Sequence, residues 1–195
     1  MPGPYTEWNK TPLVGPNRSH VPLERLGKHE LPRELIRTVS WRPETWVGDD
    51  TCSLYRLDGG WELTGEVNAT VETDQFLLQF ERAPQKTVTF NLIYTMQMDE
   101  NWQSHLIRVQ VSSRAPKLTR NCTLSVSRDG IWKHKSGNMT PDTRNLTDIF
   151  DFTLDVTPAL RVQQVRRLQL ETDEDDLVDV ARLTLPDFEL DPIST

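Results

Sequence analysis

No apolar run in the 195 residues approaches the ~20 that a membrane-spanning helix requires. The first twenty residues, MPGPYTEWNKTPLVGPNRSH, lack a basic segment followed by an apolar core, so no secretory signal is read there. The expectation is a soluble, cytoplasmic protein. Cysteine is scarce: Cys52 and Cys122 are the only two. Without export, such thiols are expected to be buried and free. There is no CxxC and no zinc-type cluster, so no metal site is expected. Histidine is also sparse, at His20, His29, His105 and His134. GxSxG, P-loop, GxGxxG and HExxH are all missing, so no cofactor and no familiar catalytic machinery announces itself.

A basic surface is lacking too. The formal net charge is −7, which argues against nucleic acid as a partner, because phosphate binding needs a basic face. The acidity is local. From Glu171 onward nine acids face one base, Arg182, while residues 1–170 balance at +1. The plain reading is a solvated acidic C-terminal segment. Five N-x-[S/T] sequons, at Asn17, Asn68, Asn121, Asn138 and Asn145, are read as by-products of a Thr-rich β protein.

What is present is proline at one end and a period of two along the rest. Six of thirteen prolines fall in residues 1–38, a spacing that forbids a long helix or a central strand. Residues 1–38 are expected to be an extended arm, anchored by Trp8, Leu13 and Val14, with one short helix over Pro32 to Thr38. Residues 39–195 are expected to form a single β domain. Thr51–Leu57, Trp61–Ala69, Asp74–Glu81, Thr87–Asp99, Trp102–Val111, Asn121–Ser127 and Ile131–Lys135 read as strands, with turns at Asp58-Gly59-Gly60, Asp99-Glu100-Asn101 and Asp129-Gly130. Lys135–Asn145 reads as a surface loop. Asp176–Leu185 and Phe188–Leu190 read as a late strand and an edge segment. Little of this has helical period, so the fold class is all-β and antiparallel.

The stretch Ile149–Leu170 organises the remainder. Phe150, Phe152 and Leu154 alternate with Asp151, Thr153 and Asp155, as an apolar row backed by a carboxylate row would. Thr157-Pro158 breaks the strand. Val165–Leu170 then reads as a returning strand, with Arg166 sharing a face with Leu168 and Leu170, and Arg167 on the opposite face. One arginine is expected to pair with Asp151 or Asp155. If the phenylalanines face the core, that arginine is Arg167, and Arg166 is left for another acid or a ligand. Here the chain resembles the glycolipid-binding family first described in bacteria as a domain of unknown function. Asp151, Thr157-Pro158 and Arg166-Arg167-Leu168 carry the resemblance. Tyr94, Asp99, Trp102, Arg108 and Asp129-Gly130-Ile131-Trp132 extend it over roughly residues 41–190. Thr153 and Arg161 depart from the family pattern. The resemblance implies a strongly curved antiparallel sheet, a spiral β-roll or open barrel.

It also implies a small amphiphilic ligand, a glycolipid or lipid-like molecule, in a β-lined cavity. The candidate ligand-binding residues are Arg166, Arg108, Trp102, Tyr94, Met96 and Trp61. Arginine forks suit a polar head, aromatic planes suit sugars or acyl chains, and methionine gives an adaptable wall. The alternative is a hydrolase, isomerase or cyclase using Asp99, His105, Asp151 or Tyr94 as acid or base. A third possibility is an interaction protein that docks a partner through the arm or the acidic segment.

Overall fold

The computed structural model describes residues 32–194 apart from 43–46, 73–86, 115–116, 128, 138–139, 147–148, 150, 155, 169–178, 186–187 and 189. Most of the Pro-rich arm, with its anchors, and the Asp74–Glu81 strand lie outside the described residues. The fold is all-β. Eight strands pair in chain order, every neighbour antiparallel: β1 (Arg33–Trp41), β2 (Val47–Leu57), β3 (Gly60–Glu72), β4 (Thr87–Met98), β5 (Ser104–Arg114), β6 (Lys117–Val126), β7 (Ile131–Ser136) and β8 (Asp142–Asn145). The sheet is curved and does not close. A second sheet holds β9 (Asp151–Leu154), β10 (Asp179–Leu183) and β11 (Leu190–Ser194), in the order β11-β10-β9.

Alternation explains the large sheet. Leu63, Val67, Ala69 and Val71 of β3 point inward, as do Phe90, Leu92, Tyr94, Met96 and Met98 of β4. Ile107, Val109 and Val111 of β5 and Cys122 and Leu124 of β6 continue the same face. The opposite face is polar and laced by cross-strand bonds, such as Thr70 to Thr89 at 2.8 Å and Asn91 Nδ2 to Glu66 Oε1 at 2.6 Å. The small sheet covers the inner face. Phe152 stacks on Trp132 with centroids 6.4 Å apart. Trp132 Nε1 donates to the Ile149 carbonyl at 2.9 Å. Both sheets share one apolar core.

Several expectations change. Pro32–Thr38 is not a helix: β1 begins at Arg33, upstream of the expected boundary at residue 39, because pairing with β2 from Arg33↔Leu57 to Trp41↔Asp50 outweighs the local N-terminal helix signal. The loop assigned to Lys135–Asn145 contains β8, which pairs with β7 after a turn at Gly137 (φ +53). The edge segment runs over Leu190–Ser194, beyond the expected Phe188–Leu190.

The largest correction falls on Val165–Leu170. It does not return as a strand. A short 3₁₀ helix (Pro158–Arg161) leads into α1 (Val162–Leu168). The reason is topological. β9 pairs with β10 in parallel, and parallel neighbours need a crossover, normally helical, where antiparallel ones need only a hairpin. The helix escapes a periodicity reading because its buried residues are Gln163 and Gln164, while Val165 is exposed.

Candidate functional site

On an inner face of aliphatic residues, one polar cluster stands out. β2 contributes Asp50 and Cys52, two residues apart and so on one face. Register sets Cys52 opposite Gly65 of β3, and Gly65 opposite Tyr94 of β4. Gly65 has a steric purpose. A Cβ there would stand 2.1 Å from Tyr94 Cζ and 2.2 Å from its hydroxyl, so the tyrosine lies across the glycine and reaches toward β2. The Tyr94 hydroxyl is 3.5 Å from Thr157 Oγ1 and also interacts with the Cys52 thiol. Thr157 caps the 3₁₀ helix, its Oγ1 accepting from the Ala159 N–H at 3.2 Å. The Thr-Pro break therefore delivers a hydroxyl to the sheet from the covering layer.

Asp50 is fully buried, and neither carboxylate oxygen meets hydrogen-bond geometry with another group, although the Thr157 hydroxyl is close enough to favour its charged form. Burial pushes its acid up to about 7, opposed by the nearby Thr157 hydroxyl and assisted by Asp49. Its inward register neighbour on β3 is Val67, and no ion pair of Asp50 exists among the described residues. Burial also pushes the Cys52 thiol up to about 12 and the Tyr94 phenol well above its ordinary range. Near pH 7 the Cys52 thiol and the Tyr94 phenol are therefore neutral, while Asp50 is divided between its ionised and neutral forms. Cys52 is no ready nucleophile, because the thiolate is the reactive form. Cys52 and Cys122 are both free, on β2 and β6 with three strands between them.

Two further polar links tie the cover to the sheet. Ser104 Oγ donates to Gln163 Oε1, and Gln163 Nε2 donates to the Phe152 carbonyl at 3.3 Å. Asp151, fully buried, is held by both Arg167 Nε, at 3.0 Å, and Arg167 Nη2. Hydrogen bonding to Asp151 raises the Arg167 pKa. The arginine pairing expected of this stretch is therefore Arg167 with Asp151, reached from a helix. Asp155 lies outside the described residues.

The remaining candidates are dispersed. Tyr94 and Met96 lie on the inner face. Trp61 and Trp102 stack at the hairpin end of that face, centroids 4.5 Å apart and 18° between planes. The Arg56 guanidinium lies 4.5 Å over Trp61 and pairs with Glu100 at 3.5 Å. Trp102 adopts φ +65, inside a turn built by Asp99, whose Oδ1 accepts from the N–H groups of Asn101 and Gln103 at 2.8 and 2.9 Å. Arg108 is opposite Thr95 on the outer face, away from Tyr94 and Met96. Arg166 is exposed on α1, and the strand parity that set it beside Leu168 does not apply there. His105 is exposed as well. A bulge between Gln97 and Met98 pairs Met98 with Ser104, which turns Ser104 inward in place of His105. Desolvation of the covered part of its ring lowers the His105 pKa, against the opposing pull of Asp99. Among the four acid–base candidates, Tyr94 alone belongs to the cluster.

Asp50, Cys52 and Thr157 were not singled out by sequence reasoning as site residues. The signal was available: Asp50, Cys52 and Leu54 share one parity of β2, so a carboxylate occupies the apolar side. The strand assigned from Thr51 began one residue too late to include it.

Among the described residues no helix is long and apolar enough to cross a membrane, and no group of three or more His, Cys, Asp or Glu is placed to hold a metal ion. No curated protein matches the sequence. A crystal structure of a DUF1089 family protein from Pseudomonas aeruginosa, determined at 1.80 Å, is 16% identical, covering 79% of this chain and 72% of that one at a TM-score of 0.49. The family model described as "Putative glycolipid-binding" matches residues 38–195. That span takes in both sheets almost entirely, α1 and every member of the polar cluster, and the chain belongs to this glycolipid-binding family.

Proposed function

We propose that the chain binds a glycolipid or other amphiphilic small molecule against the inner face of its curved sheet. The family name supports the class of ligand. The observation that carries the reading is Asp50, a fully buried carboxyl whose two oxygens are unused. Leaving a buried polar group unsatisfied costs roughly 1–3 kcal/mol. Such a group is retained where a partner arrives from outside the fold. Around it the face is aliphatic, from Val67 and Leu92 to Met96, all fully buried beneath the small sheet, so the apolar part of an amphiphile would enter by displacing part of that cover. The stacked Trp61 and Trp102 extend the face at its hairpin end and offer a plane for a sugar or chain. Native mass spectrometry of the purified protein tests this directly. An added mass in the range of a lipid or glycolipid, lost on denaturation, is the expected result; bare protein that also binds no added alkyl amphiphile would refute it.

A second reading is catalytic, and Asp50 favours it too. An acid titrating near neutrality beside the Tyr94 and Thr157 hydroxyls matches what general acid–base chemistry needs. A hydrolase working from this cluster would turn over chromogenic esters or glycosides with an inflection near pH 7. That activity would vanish in Asp50→Asn.

A further inference from the structure

A second unused group stands next to Asp50. Trp41, the last residue of β1, is its register partner on β2. Directly paired residues share a face of the sheet, with Cβ atoms about 5 Å apart. Trp41 Nε1 is buried and has no hydrogen-bond partner. A donor without an acceptor and an acceptor without a donor thus sit side by side at one end of the inner face. They do not bond each other. Buried indole N–H groups and buried carboxyls are each normally satisfied, so two orphans of opposite kind in adjacent positions require a common explanation.

The group that answers both must accept from an indole N–H and donate to a carboxyl. A hydroxyl does both through one oxygen. A phosphate or carboxylate head accepts from Trp41 but meets the ionised form of Asp50 with like charge, and no cation pairs with Asp50 among the described residues to offset it, whereas a hydroxyl serves the carboxyl in either protonation state. An ammonium donates to Asp50 and has nothing to accept from Trp41. Resting on the amphiphile reading above, we propose that Trp41 and Asp50 form a head-group subsite for an uncharged, hydroxylated group, a sugar or polyol, with one ligand hydroxyl bridging the two side chains. The Tyr94 and Thr157 hydroxyls lie beside it to meet neighbouring ligand oxygens. On this assignment the polar head is selected by Trp41 and Asp50 of β1 and β2, and the exposed Arg166 and outward Arg108 take no part in it.

The test uses four eight-carbon probes with the 195-residue chain: octyl glucoside, octyl phosphate, octanoate and octylammonium, titrated calorimetrically at pH 7. The expected order places octyl glucoside first, with the three charged probes at least about tenfold weaker, the scale of one lost hydrogen bond to a charged or buried group. Trp41→Phe and Asp50→Leu remove donor and acceptor in turn. Each is expected to bring octyl glucoside down to the level of the charged probes. Trp41→Phe keeps an aromatic ring in place, so it remains informative if Asp50→Leu does not fold. Tighter binding of octylammonium would overturn the hydroxyl assignment in favour of a cation site. Equal binding of all four probes, unchanged in Trp41→Phe, would overturn the subsite while leaving the amphiphile reading intact. So would a Trp41→Phe that melts earlier but keeps its preference, since the pair would then hold only structural water. If none of the four binds, the amphiphile reading itself fails, and the subsite with it.

Discussion

Asp50 makes the stability of the whole fold depend on pH in an unusual direction. A carboxylate engaged in an ion pair has its pKa lowered by folding, and stability is lost as pH falls. Asp50 has its pKa raised from 3.8 to about 7, so between those values the folded state binds more protons than the unfolded one. Its contribution is therefore fully favourable below pH 3.8 and is lost as pH rises to about 7, by an amount on the order of 4 kcal/mol if the shift is fully expressed. Thermal melts of wild type and Asp50→Asn from pH 4 to 8 should diverge, with the variant gaining on wild type across this window. Parallel curves would show that Asp50 is satisfied in solution. Gly65 is the second residue with a defined task. Its Cβ position is filled by the Tyr94 ring, so Gly65→Ala should destabilise by about 1–3 kcal/mol, the usual range for overpacking. In a Tyr94→Leu background most of that loss should disappear, and denaturant titration of the four proteins measures the coupling. An additive pair would mean that the ring does not lie across the glycine.

Among the elements, α1 shows how adjacent residues with the same charge divide their work. Arg167 reaches back to the buried Asp151 with two nitrogens, whereas Arg166 is exposed. Arg167→Gln leaves Asp151 without its cation. The expected loss is about 3 kcal/mol, at the lower end for a broken buried pair, because the Arg167 side chain keeps 27% of its exposure. Arg166→Gln should stay within about 0.5 kcal/mol of wild type. Equal losses in chemical denaturation would contradict the pairing. The Asp99 turn is the other element whose geometry is informative. Trp102 adopts a left-handed conformation there, which costs on the order of 1 kcal/mol for a non-glycine residue. The stack on Trp61 and the Asp99 hydrogen bonds offset this. Asp99→Ala should therefore weaken the stack as well as the turn, and the loss should be visible as a reduced near-ultraviolet tryptophan signal before any global unfolding. An unchanged signal would show that the turn holds its shape without the carboxylate.

At the scale of the molecule, the curved sheet needs its cover. The aliphatic rows of β3 to β6 are shielded by residues from β9 onward within one shared core. A chain ending at residue 148 should lose that shield and present a large continuous apolar surface, so it should aggregate and bind hydrophobic dyes. Recovery as a monodisperse, cooperatively melting monomer would contradict this. The same division separates what was legible in the chain from what was not. Alternation in Phe90–Met98 and Trp61–Ala69 set strands, facing and fold class, because a period of two is a local property of the backbone. Asp151, Thr157-Pro158 and Arg166-Arg167-Leu168 carried the family likeness. Tertiary structure decided the rest. Whether Val162–Leu168 is helix or strand depends on β9 choosing β10 as a parallel neighbour, a choice made about 25 residues downstream. His105 faces outward because of a bulge that no local pattern records. Trp41, Asp50, Tyr94 and Thr157 come from four separate parts of the chain and become neighbours only when the four strands β1 to β4 align in register and the Thr-Pro break folds over them. Burial then raises the Asp50 acid and leaves it unpartnered, because desolvation acts on where a group ends up in space, and sequence spacing carries no record of that.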